Sequence, residues 1–144
     1  MSVLCGVILV VLSSLSWGGQ ALSLLAPDRA VRWKLMEAED DVEPTFWADV
    51  RAEALWDTFT LWTMVVAGVL LIAGHAAWPY FGLIAGGMYL YFAGRGVATR
   101  LEMRHRGMRI GTPANVRIGL IALAVWGAMA AAMIVASAVE LAGR

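Results

Sequence analysis

Three carboxylates, Asp49, Glu53 and Asp57, stand four residues apart in ADVRAEALWDTFTLW. On a helix they stack on one face, one turn above another. Asp57 borders an apolar run, and an acid carried into a membrane is a candidate proton or cation site by default. A structural role competes with that chemistry. The basic residues Arg95, Arg100 and Arg104 follow the next apolar run, and only the short turn HAAW separates the two runs. Two helices joined so briefly must lie antiparallel. Reflected through the turn, Asp57 falls level with residue 96, Glu53 with Arg100 and Asp49 with Arg104. The spacing therefore predicts an ionic clasp of Asp49, Glu53, Asp57, Arg95, Arg100 and Arg104. Arginine can hold a carboxylate by two parallel hydrogen bonds, which offsets the ~2.5–3.5 kcal/mol that an unpaired acid costs at the centre of a span. One imperfection is visible. Arg95 and Arg100 are five residues apart, so they point about 140° apart on an ideal helix. Arg95 is expected to serve Asp57 or to snorkel to lipid, while Arg100 and Arg104 serve Glu53 and Asp49.

A second polar pattern lies near the amino end. Ser13, Ser16, Gln20 and Ser23 recur at spacings of three, four and three, all on one helix face. Such a face is a poor surface for lipid and is expected to meet protein through interhelical hydrogen bonds, with a polar path as the alternative. The acidic run Glu37, Glu39, Asp40, Asp41 and Glu43 has neither the ligand spacing nor the turn glycine of an EF-hand, so it reads as a solvated turn. His75 and His105 fall on opposite sides of the membrane and cannot share one haem. Tyr80, Phe81, Tyr89, Tyr91 and Phe92 read as packing rather than as a quinone site. No Ser-His-Asp set, phosphate loop or metal-binding helix motif occurs, so no catalytic residue, cofactor or metal is expected.

The elements that position these residues follow from composition. The chain has 144 residues, 60% hydrophobic and only 15% charged, with zero net charge. Its mean hydropathy is +0.71. Zero net charge gives no field favouring nucleic acid. The single Cys5 excludes an internal disulfide and reads as a small apolar residue. Four runs approach the ~20 residues that cross a bilayer, at about 3–25, 55–74, 79–97 and 118–139. They predict one all-α, four-helix membrane domain over 1–144, with a central hairpin and loops at about 26–54 and 98–117. The first run lacks the basic start and small-residue cleavage site of a signal peptide.

Nine of the eleven cationic residues fall in those two loops, and Arg95 at the adjoining end of the third run makes ten on one side. This places the loops in the cytoplasm of a bacterial inner membrane and both termini outside. Trp56 and Trp78, near opposite ends of the hairpin, suit interface anchors. Pro27 with Asp28, Pro44, and Thr112 with Pro113 mark helix starts, and Gly107 marks a stop. Val31, Leu35 and Ala38 suggest a short helix at the headgroups, and the basic second loop suits anionic lipid. From Pro44 to Gly74 no residue breaks helical periodicity, so the second span is expected to continue unbroken below the membrane. Gly82 and Gly86, and the alanines 124, 128, 132 and 136, offer packing faces. The expected function is that of a non-catalytic accessory or assembly subunit. A small oligomeric transporter using Asp57 and the first-helix stripe is the alternative, and a membrane enzyme or sensor using the acidic loop is a third.

Overall fold

The structure is a computed structural model that describes residues 2–144. Every regular element among them is helical. In order these are α1 (Ser2–Leu25), α2 (Pro27–Arg32), a 3₁₀ turn (Glu39–Asp41), α3 (Pro44–Thr60), α4 (Trp62–Ile72), α5 (Trp78–His105) and α6 (Pro113–Ala142). Three helical stretches are long and apolar enough to cross a membrane: Val3–Leu25, Pro44–Ile72 and Pro113–Ala142. Helix α5 is longer than α1 but is diluted by glycine, tyrosine and the charge of Arg95.

Prolines open α2, α3, α5 and α6, where a missing N–H costs no hydrogen bond. Thr112 caps α6 by accepting from the Asn115 N–H at 3.3 Å. Helix α5 ends just before Gly107, whose φ of +73° suits a left-handed stop. Helix α2 is shorter than the spacing of Val31, Leu35 and Ala38 suggests. It stops at Arg32, and Lys34 takes the left-handed position at φ +57°. The Leu35 N–H then closes back onto the Ala30 carbonyl at 2.9 Å.

The second span is not one unbroken helix. It is interrupted at Leu61, between α3 and α4. Side chains take up the carbonyls at the break. Trp17 Nε1 donates to Thr58 O at 2.9 Å, Trp62 Nε1 to Phe59 O at 2.8 Å and Thr63 Oγ1 to Thr60 O at 2.8 Å. Open backbone groups in an apolar setting are tolerated only where other protein groups re-satisfy them. No Pro or Gly marks the site, so periodicity alone did not reveal it.

Helix α1 packs on α3 and α4, α4 also packs on α5, and α5 runs along α6. Leu61, Met64, Ala85, Tyr89, Leu123 and Ala130 form the main core. Glycine sets the closest approaches. A Cβ on Gly6 would lie 3.0 Å from Gly68 O, and one on Gly68 would lie 3.2 Å from Gly6 O. Gly82 and Gly86 face Ser137 and Ile134 of α6, so this glycine pair is spent within the chain. The alanines 124, 128, 132 and 136 point outward instead, where no helix of this chain covers them. At one end Gly6 meets Ile72, and Arg144 donates to Ala76 O at 2.8 Å. At the other end the two loops share a second core of Val42, Phe46, Ile110 and Val116. There the Glu43 N–H donates to Arg109 O at 2.8 Å, and the two side chains pair at 3.5 Å.

Candidate functional site

Helices α3 and α5 bring the acidic ladder to arginine, but in a different register from the expected clasp. Arg95 alone holds two carboxylates. Its Nη1 donates to Glu53 Oε1 at 2.9 Å, and its Nη2 donates to Asp49 Oδ1. Arg100 does not pair with Glu53. Its Nη1 donates to Gly96 O at 3.0 Å, and its guanidinium reaches Phe46 of α3, 5.7 Å from the ring centroid. Arg104 is exposed and has no ion pair among the described residues, so it does not serve Asp49. The angle between Arg95 and Arg100 contributes to this outcome: both reach α3, but Arg95 meets Asp49 and Glu53 while Arg100 meets Phe46. Separation contributes as well. Helix α3 lies mainly along α1 and meets α5 only lightly, so the long side chains of Arg95 and Arg100 span the gap.

Asp57 is outside the clasp altogether. It shares the buried face with Ala54, Leu61 and Met64 and is 4% exposed. Its Oδ2 has no hydrogen-bond partner. It stands at the edge of a cavity of about 310 Å³ between α3 and α5, which Glu53, Trp56, Tyr91, Phe92 and Arg95 also line. Trp56 and Tyr91 are 63% and 64% exposed, so this cavity opens to the outer surface of the bundle between two aromatic rings.

A second cavity, of about 300 Å³, lies on the far side of Glu53 and Phe92, which line both. Ser16, Gln20 and Ser23 of α1 face it, together with Arg100, Lys34, Glu37, Asn115 and Trp126. The first-helix stripe is thus turned to the interior: Ser13, Ser16 and Ser23 are buried and Gln20 is half-buried. Its hydroxyls do not carry the interhelical bonds. Ser13 Oγ returns to Leu9 O of its own helix at 2.5 Å, and Ser16 Oγ has no partner.

Trp17 Nε1 ties α1 to Thr58 O of α3, and the other bonds from its neighbours end on the main-chain carbonyls of α1. Tyr89 Oη donates to Ser13 O at 3.2 Å, Trp126 Nε1 to Leu12 O at 3.1 Å and Arg51 Nη1 to Leu24 O at 3.2 Å. Sequence reasoning did not single out these donors. The available signal was general: a tyrosine or tryptophan within a helical core needs an acceptor for its polar tip.

The remaining candidates stay apart. Glu39, Asp40 and Asp41 are exposed on the 3₁₀ turn, and His105 is exposed at the end of α5. His75 Nδ1 accepts from the Ala77 N–H at 3.1 Å. Among the described residues no three His, Cys, Asp or Glu side chains gather as metal ligands would. No family model matches the chain, and no curated protein or solved structure matches it either.

Proposed function

We propose that this chain is a non-catalytic subunit of a larger complex in a bacterial inner membrane, and that Asp57 is its contact with the partner. One observation carries this reading. Asp57 is buried with Oδ2 unpartnered, and the nearest cation, Arg95, is committed to Asp49 and Glu53. A polar group left unsatisfied in an apolar setting is costly. The crevice between Trp56 and Tyr91 admits a donor from another chain, such as an Arg, Lys or amide on a partner helix. Tryptophan and tyrosine are also the side chains most enriched where one protein grips another.

In this reading α5 is a fourth crossing, α4 and α5 form an antiparallel hairpin, and both termini lie outside. Arg95 is the one charged residue between Trp78 and Val97. The cations of the two long loops favour the cytoplasmic side. In a Cys5→Ser background, Gly143→Cys should react with a membrane-impermeant thiol reagent in cells whose outer membrane is permeabilised. Protection of that cysteine would reverse the orientation.

The contact itself is tested by isolating the full chain from its native membrane in mild detergent and weighing the intact assembly. A partner of fixed stoichiometry should be present. Asp57→Leu should remove it, while Asp57→Asn, which still offers an acceptor, should retain part. Equal masses for wild type and Asp57→Leu would sink the proposal. The transporter reading keeps one supporting observation, that Glu53 and Phe92 line both cavities. Proton or cation flux through the purified chain in liposomes, abolished by Asp57→Asn without loss of stability, would decide for transport.

A further inference from the structure

The cavity beside Arg100 is placed and charged differently from the crevice at Asp57. Arg100 is half-buried in it, stacked near Phe46, with one hydrogen bond to Gly96 O and no carboxylate in ion-pair contact among the described residues. Lys34 also lines the cavity and is likewise outside any ion pair among those residues. Two acids line it as well. Glu53 is held by Arg95 at 2.9 Å, and Glu37 is packed against Gly111 with its Oε1 buried and unpartnered. Gln20 and Asn115 add amide groups to the walls. Arg100 and Lys34 are the lining cations outside any ion pair among the described residues, and a guanidinium and an ammonium together suit a phosphate.

The way into the cavity is apolar. Leu15 of α1 and Ile118 of α6 line it and are also exposed on the surface of the bundle. Helices α1 and α6 touch only lightly, so the cavity opens sideways between them. At about 300 Å³ it lies at the small end of ligand sites, which run from ~300 to 1,000 Å³. That is room for a headgroup but not for acyl chains, which must leave through the apolar lips. Arg104 and Arg117 are exposed, without ion pairs among the described residues, and do not line the cavity.

We infer that this cavity binds the phosphate headgroup of one anionic phospholipid, with Arg100 as its principal ligand and the acyl chains running out between Leu15 and Ile118. A general attraction of the basic loop for anionic membranes would recruit several loosely held lipids. The cavity instead holds one.

The test uses the full chain reconstituted in nanodiscs of phosphatidylcholine with a minor fraction of phosphatidylglycerol, then released into detergent for native mass spectrometry. Wild type should retain one phosphatidylglycerol. Arg100→Gln should lower that occupancy about tenfold, the loss expected for about 1.4 kcal/mol of charge-assisted hydrogen bonding. Leu15→Trp, at the exposed lip and remote from the charge, should lower it too by blocking the exit. Arg117→Gln should leave the single bound lipid in place. Millimolar inorganic phosphate should not displace it, because the chains supply part of the affinity. Full retention in a folded, monodisperse Arg100→Gln protein would overturn the inference. So would displacement by phosphate, which would mark a site for the free anion, or unchanged retention in Leu15→Trp.

Discussion

Replacing Arg95 by leucine should destabilise the protein in detergent by about 2–3 kcal/mol, while replacing Arg104 by glutamine should change it by less than about 0.5 kcal/mol. The contrast comes from what each guanidinium touches. Arg95 holds both Asp49 and Glu53, and its removal strands two carboxylates. Breaking a fully buried pair from one side typically costs ~3–5 kcal/mol. The Arg95 side chain is 32% exposed and that of Glu53 is 8% exposed, so water screens one partner and the expectation is set lower. The triple change Arg95→Leu, Asp49→Asn, Glu53→Gln should recover most of the loss, because no uncompensated charge remains. Unfolding titrations in mild detergent would measure all three proteins. A single Arg95→Leu as stable as wild type would mean that the fork contributes nothing. A large loss on Arg104→Gln would restore the three-level clasp that the spacing predicts.

The second large effect belongs to a glycine. Gly68→Leu should cost about 3 kcal/mol or prevent assembly of α1 on α4, since overpacking a tight site typically costs ~1–3 kcal/mol and occasionally more. A Cβ there would meet Val10 Cγ2 at 2.8 Å, Gly6 O at 3.2 Å and Val10 N at 3.2 Å. Two of these are main-chain atoms and cannot move aside as a side-chain tip can. Gly87→Leu supplies the control, because a Cβ at Gly87 meets nothing within 4 Å. In an exposed helical position that change should be neutral or slightly stabilising. Thermal unfolding of the two variants side by side would check this. Equal stability would show that the helix crossing yields without cost.

The crossing bears on both proposed sites. Helix α1 carries Ser16 and Gln20 into the lipid cavity, and its Trp17 takes the Thr58 carbonyl one residue beyond Asp57. A shift of α1 along α4 would move both walls. Loss of lipid retention together with partner binding in Gly68→Leu is therefore expected, whereas Arg100→Gln and Asp57→Leu should separate the two.

The sequence by itself determined the helical class, three stretches long and apolar enough to cross a membrane, and most helix boundaries. Those features are local. Pro44, Pro113 and Thr112 act through their own backbone, Gly107 through its own φ, and hydropathy through residues consecutive in the chain. It also determined that Asp49, Glu53 and Asp57 share a helix stripe, because four-residue spacing does not depend on neighbours.

Tertiary structure decided which of those acids has a partner. Depth can be reflected through a short turn, but the rotation of α5 about its own axis cannot, and that rotation gives Arg95 to Asp49 and Glu53 and leaves Arg100 over Phe46 in the cavity wall. The break at Leu61 was equally invisible, since it is stabilised by Trp17, forty-one residues from the carbonyl that it caps. The stripe of Ser13, Ser16, Gln20 and Ser23 announced an inward face, but only the light contact between α1 and α6 turned that face into the wall of a cavity. In each case the deciding interaction joins residues far apart in the chain, and its geometry exists only once the helices have packed.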